Sequence, residues 1–212
     1  MKKGIYLVAD PSIDREFLLN QIEKALQGGL VAVQLWNQWK GVANPLEVIQ
    51  EVHQLTQKAK VPLYLNEGLN YLKYRCFDGI HLDAPTEQLM DFRRQRPDLR
   101  WGVTCSNDVE VLKWADYHSL DYVSYCSVFS SKTATSCDLV TPTTIAHTRN
   151  FYRGKVYLAG GITESTLPSI LELPFDGIAL VSAIMEAENP THAVSTFSQL
   201  LNQPNYDKEF LI

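Results

Sequence analysis

Short apolar runs alternate with longer stretches of helical period from one end of the chain to the other. The runs are GIYLVAD (4–10), LVAVQLW (30–36), VPLYLNE (61–67), GIHLD (79–83), RWGVTCS (100–106), DYVSYCSVF (121–129), VYLAGG (156–161) and GIALVSA (177–183). Near-continuous apolar character with many Val, Ile, Leu and Tyr predicts parallel strands covered on both faces. Between them, REFLLNQIEKALQGG ends in a glycine pair, a helix stop, and NPLEVIQEVHQLTQKA starts with Asn44 as cap and Pro45 at the first helical position. NDVEVLKWADYHS places Asn107 in the cap role, and NPTHAVSTFSQLL repeats the Asn-Pro start.

Eight strands, each followed by a helix, predict an α/β protein of the (β/α)8 TIM barrel type. A doubly wound open sheet is the runner-up, but it normally stops at five or six strands. FDGIHLD (77–83) and FDGIALV (175–181) echo one another, as repeated half-barrel units would. The pattern gives one barrel domain over 1–202 and a tail over 203–212.

Composition narrows the function classes. The net charge is −5, from 19 basic and 24 acidic residues, with no basic block, which argues against nucleic acid as a partner. No run approaches the roughly 18 apolar residues of a membrane span, and MKKGIYLVAD is too short in apolar residues for a signal peptide. Cys76, Cys105, Cys126 and Cys137 form no CxxC pair, so free thiols in the cytoplasm are expected rather than zinc or disulfides. The five histidines show no HExxH spacing. The sequence leaves a homo-oligomer open.

Active sites of such barrels lie at the C-terminal ends of the strands. The positions that qualify are Asp10, Gln34 to Gln38, Asn66–Glu67, Leu82–Asp83, Thr104–Ser106, Ser127 to Thr133, Gly160–Gly161 and Val181–Ser182. In YLAGGITEST, two glycines separate a strand from a helix-start signal, with Thr163 as cap and Glu164 in the first turn. A strand, a tight glycine turn and a helix start make a common phosphate site, and Ser182 ends the neighbouring strand.

The pieces GIYLVAD, VQL, LNE, DGIHL, GVT, DYV…VF, LAGGIT and DGIALVSAI follow one another in order. In this the chain resembles the thiamine phosphate synthase family, which also contains thiazole tautomerases. The resemblance implies that pyrophosphate leaves an activated aminopyrimidine with help from magnesium, and that a thiazole phosphate captures the resulting cation. It further implies catalytic roles for Lys132 and Thr104 and magnesium ligation by Glu67 and Asp83. Substrate contacts fall on Gln34, Trp36, Asn66, Ser131, Thr133, Gly160, Gly161, Val181 and Ser182. The implied partners are small phosphorylated heterocycles.

Several positions depart from the family pattern. Its second strand ends Q-L-R-x-K, whereas this chain reads QLWNQ, so Trp36 and Gln38 replace two cations. Neutral side chains hold a polyanion less well than charged ones. The second magnesium aspartate falls on Thr86, leaving Asp83 three residues early. In the loop SSKTATS the family lysine is displaced to Lys132. The tautomerase histidine corresponds to Ser106, and His81 reads as a satisfied structural histidine. Three functions follow: a divergent synthase, a tautomerase-like protein or binder of a phosphorylated thiazole, or a barrel enzyme acting on another small phosphate.

Overall fold

A computed structural model describes residues 2–130 and 138–203. Eight strands close into a barrel in chain order, every neighbouring pair parallel. They are β1 (Gly4–Ala9), β2 (Ala32–Leu35), β3 (Leu63–Asn66), β4 (Gly79–Leu82), β5 (Arg100–Cys105), β6 (Tyr122–Tyr125), β7 (Lys155–Ala159) and β8 (Gly177–Leu180). The α-helices are α1 (Arg15–Gln27), α2 (Pro45–Ala59), α3 (Leu89–Gln95), α4 (Val109–Tyr117), α5 (Pro142–His147), α6 (Ser182–Met185) and α7 (Pro190–Asn202). The predicted barrel is what forms.

Side-chain alternation splits the apolar residues into two cores. Outward positions such as Leu7, Val33, Leu65, Ile80, Val103 and Ile178 pack under the helices and are fully buried. Inward positions form a second cluster around Tyr6, Tyr64, Tyr122 and Tyr157. These four rings meet edge-to-face, with centroids 5.5 to 6.0 Å apart, the arrangement their quadrupoles favour. Space for them comes from glycine on facing strands. A Cβ on Gly102 would run into the Tyr122 ring, and one on Gly177 would sit 2.8 Å from Tyr157 Cε1.

The Asp-Gly echo has a structural role at the base of the barrel. The Asp78 carboxylate accepts the N–H of Leu63 at 2.8 Å, and that of Asp176 accepts the N–H of Val156 at 2.8 Å. Asp121, ahead of β6, accepts the N–H of Trp101 in the same way, also at 2.8 Å. Each aspartate also donates its own N–H to the carbonyl of the residue that it holds. The clamp therefore repeats before β4, β6 and β8, each time on the preceding strand. The position ahead of β2 is Val31, which cannot accept a hydrogen bond through its side chain. Asp121→Ala leaves the Trp101 N–H without its acceptor and is expected to cost about 1–2 kcal/mol, read by urea unfolding. Unchanged stability would show that the clamp does not support the fold.

Three local expectations are corrected. β3 and β7 are followed not by α-helices but by 3-10 turns, Leu69–Tyr74 and Leu167–Ile170. Thr163 therefore caps no α-helix; its hydroxyl accepts the N–H of Thr166 at 3.2 Å and leads into the second of these turns. The cap of α4 is Asp108, which accepts from Glu110, while the neighbouring Asn107 bonds to Leu139, Thr141 and Thr144. The caps Asn44 and Asn189 form as the sequence predicts. β6 stops at Tyr125, short of the predicted 129. Beyond it, the N–H groups of Val128 and Phe129 turn to the carbonyls of Ala159 and Gly160.

Candidate active site

Above the tyrosine layer the inward side chains change character around the ring. From β2 to β6 they are polar: Gln34, Asn66, His81, Thr104 and Ser124. From β7 through β8 to β1 they are Ala159, Ala179 and Val8. The mouth thus has a hydrogen-bonding arc facing a small apolar one.

Register puts Asn66 of β3 beside His81 of β4. Asn66 is buried; its Nδ2 donates to Asp83 Oδ1 at 2.8 Å and to the His81 carbonyl at 3.3 Å, and its Oδ1 accepts from the Asn37 N–H at 3.3 Å. Glu67 follows with φ +50°, in the left-handed region. Its Oε1 accepts the N–H of Asp83 at 2.7 Å. Glu67 and Asp83 are thereby brought side by side at the ends of β3 and β4. Burial, reinforced by the charge of Asp83, pushes the Glu67 carboxyl above the usual range, against the opposing pull of the Asp83 N–H. A cation would relieve both effects. Among the described residues no group of three or more His, Cys, Asp or Glu is arranged to hold a metal. Two carboxylates are nonetheless sufficient for magnesium, which keeps waters and takes its remaining oxygens from phosphates. The pair fits the ion in donor type and charge.

Both ring nitrogens of His81 are satisfied, Nδ1 by the Tyr122 hydroxyl at 3.1 Å and Nε2 by Thr104 Oγ1 at 2.8 Å. Burial drives its pKa down to about 4, with Asp83 pulling the other way. Burial thus favours the neutral imidazole. Thr104 is half-buried at the end of β5. Gln34 is buried in β2, with Oε1 accepting from the Tyr6 hydroxyl at 2.8 Å.

Trp36 is half-buried and, unlike Trp39, is not among the described residues that pack against the outer core. Trp39 instead covers Tyr71, with ring centroids 4.9 Å apart. The N–H of Trp36 donates to the Ala9 carbonyl, which ties the end of β2 to β1. Gln38 is exposed.

Gly160 and Gly161, with φ +88° and +65°, follow β7; half-buried Val181 and exposed Ser182 follow β8, with Ser182 opening the four-residue α6. The room that side chains would need at these glycines is taken by the protein itself. A Cβ on Gly160 would strike Ser127, and one on Gly161 would lie 2.8 Å from Phe129 Cβ. The glycines therefore let the segment after β6 lie on β7. Ser131, Lys132 and Thr133 fall outside the described residues.

Sequence reading missed Tyr6 and Tyr122, which join Gln34 to His81 beneath the mouth. Their signal was parity: each stands two residues before an inward strand-end position, on the same face. Two concavities, of about 260 and 200 Å3, lie outside the sheet beside α3 and α4 and between α4 and α5, and neither includes a predicted site residue.

A family model described as thiamine monophosphate synthase matches residues 5–184. The chain belongs to this family. It is 31% identical over 190 residues to a thiamine-phosphate synthase of Methanobrevibacter smithii, covering 88% of this chain and 90% of the relative. A thiamine-phosphate synthase of Hydrogenobaculum sp. is 29% identical over 205 residues, covering 94% of each. Among solved structures, a thiamine phosphate pyrophosphorylase from Pyrococcus furiosus superposes with TM-score 0.77 at 21% identity, over 94% of this chain and 96% of that one. Orotidine 5'-monophosphate decarboxylase of Methanocaldococcus jannaschii, at TM-score 0.71 and 13% identity over 95% of this chain and all of that one, shares the fold alone. Membership places the chain with thiamine phosphate synthase-like proteins of thiamine biosynthesis. No helix among the described residues is long and apolar enough to cross a membrane.

Proposed function

We propose that the chain joins hydroxymethylpyrimidine diphosphate to a thiazole phosphate and releases pyrophosphate. The observation that carries this reading is the polar arc of Gln34, Asn66, His81 and Thr104 ending beside the Glu67–Asp83 carboxylate pair. The arc gives the edge of an aminopyrimidine hydrogen-bonding partners, and the apolar arc accommodates the faces of flat rings. Magnesium held by Glu67 and Asp83 would neutralise charge on the diphosphate. Asn66 keeps Asp83 oriented through its amide, and the Asp83 N–H does the same for Glu67. Thr104 contacts the pyrimidine, and Lys132, with Ser131 and Thr133, is assigned to the phosphates. The turns at Gly160–Gly161 and Val181–Ser182 are assigned to the thiazole phosphate through backbone N–H groups.

A second reading is favoured by Trp36 and Gln38. The strand end that carries two cations in the family pattern carries none here, and Trp36 stands at the mouth without packing on the outer core. That arrangement suits a tautomerase-like protein or a non-catalytic binder of a phosphorylated thiazole. An assay of thiamine phosphate formation from the two precursors with magnesium separates the readings. The native chain is expected to turn over. Trp36→Arg with Gln38→Lys is expected to raise magnesium-pyrophosphate affinity about tenfold, equivalent to about 1.4 kcal/mol, and turnover with it. A folded native chain with no turnover sinks the synthase reading. Robust native turnover that the double variant does not improve would show that charge is compensated elsewhere.

A further inference from the structure

An unbroken line of hydrogen bonds crosses the barrel interior between two mouth residues. It runs from Gln34 Oε1 to the Tyr6 hydroxyl (2.8 Å), on to the Tyr122 hydroxyl (3.1 Å), to His81 Nδ1 (3.1 Å), and from His81 Nε2 to Thr104 Oγ1 (2.8 Å). Burial keeps both phenols protonated, so each hydroxyl has one hydrogen to give.

The order of the hydrogens then follows from valence. Gln34 Oε1 can only accept, so the hydrogen of Tyr6 points at it. Tyr6 must therefore accept from Tyr122. With the Tyr122 hydrogen engaged there, His81 Nδ1 has to carry the hydrogen that it donates to Tyr122. At pH 8, above the ordinary imidazole range, the ring carries one N–H, which leaves Nε2 bare to accept from the Thr104 hydroxyl. Every donor points from β5 towards β2. At one end Gln34 keeps its amide N–H2, which donates no hydrogen bond among the described residues and is not an orphaned buried group. At the other end Thr104 keeps only lone pairs.

We propose that Tyr6, Tyr122 and His81 are positioning residues, whose one-way hydrogen-bond chain presents Gln34 as a donor and Thr104 as an acceptor to a heterocycle with a ring nitrogen beside an amino group. This rests on the synthase reading above, since an aminopyrimidine has that edge: a ring nitrogen that accepts and an amine that donates. A 4-oxo pyrimidine, with a ring N–H beside a carbonyl, presents the opposite pattern. Reversing the amide of Gln34 would reverse every bond in the line and suit the oxo ring instead. The two ends cannot be set independently.

The tautomer of His81 reports the direction in the ligand-free chain, so the test does not need turnover. In the full chain labelled with 15N at histidine, at pH 8, two-bond 15N–1H correlation is expected to show His81 as the Nδ1–H tautomer, assigned by comparison with His81→Asn. An Nε2–H tautomer or a doubly protonated ring overturns the proposal. Tyr122→Phe keeps the ring that fills the space over Gly102 but removes the acceptor of Nδ1. It is expected to shift His81 towards the Nε2–H form; a tautomer unchanged in this variant also overturns the proposal. By calorimetry, 4-amino-5-hydroxymethylpyrimidine phosphate is expected to bind the native chain about tenfold more tightly than its 4-oxo counterpart, because the wrong edge leaves buried polar groups unpaired. Tyr122→Phe should shrink that ratio, whereas equal binding of both rings by the native chain counts against it. Failed turnover with the expected tautomer would overturn only the synthase reading.

Discussion

Gly102→Val is expected to lower the unfolding free energy by about 3 kcal/mol, at the upper end of what overpacking usually costs. The position lies inside the closed sheet, where a Cβ would run into the Tyr122 ring. That ring is held on its other sides by Tyr6, Tyr64 and Tyr157 and stacks on His81 at 5.5 Å. It has nowhere to go. The diagnostic is a double-mutant cycle of Gly102→Ala with Tyr122→Leu. A smaller side chain at 122 opens the space that the alanine needs, so the pair should cost less than the summed single changes by about 1 kcal/mol or more. Strict additivity in urea unfolding would show that the ring does not fill the space over Gly102.

The largest functional effect is expected from Glu67→Gln with Asp83→Asn. Removing both charges takes away the attraction that a divalent ion would feel, and magnesium affinity should fall at least about tenfold, with turnover following. Titration with manganese, followed by its paramagnetic signal, reads binding without chemistry. An unchanged affinity would place the ion elsewhere. The single variant Glu67→Gln tests the electrostatics in the other direction. The folded-state pKa of Glu67 is raised, so its ionised form is disfavoured by folding. Stability from this group is present below the unfolded pKa and is lost as pH rises through the folded one. At pH 7 without magnesium, Glu67→Gln should therefore be more stable than the native chain, and the difference should vanish on the acid side and narrow when magnesium is added. A variant less stable than the native chain at pH 7 would contradict the argument.

How far the sequence reaches can be judged residue by residue. Asn44-Pro45 and Asn189-Pro190 announce their helices because the cap and the first turn are local chemistry. Asn107 and Asp108 are equally good caps side by side, and only tertiary contacts decide: Asn107 is drawn away to hold Leu139, Thr141 and Thr144. After β7, Pro168 sits inside the stretch that would have to be helical, and a 3-10 turn results. The strands read as unbroken apolar runs because their inward faces carry tyrosines and glycines, which blur the period of two. Register then supplies what no local pattern holds. Gly102 meets Tyr122, and Gly177 meets Tyr157, across neighbouring strands. Among the candidate site residues, Gln34, Asn66 and Thr104 were legible as polar side chains at strand ends. The pairing of Glu67 with Asp83 required β3 and β4 to lie adjacent.

The sheet also acts as a wall between two kinds of selection. Outside it, Leu7, Val33, Leu65 and Ile178 answer to the helices that cover them. Inside it, the side chains at the mouth belong to a separate cluster, apart from that outer layer. Trp36 and Gln38 lie on the permissive side of that wall, outside the packed layers. A barrel so divided can lose a charge, gain an indole or change its preferred ring while the polypeptide folds as before. New chemistry can therefore arise here in single steps, each tested on a scaffold that is already standing.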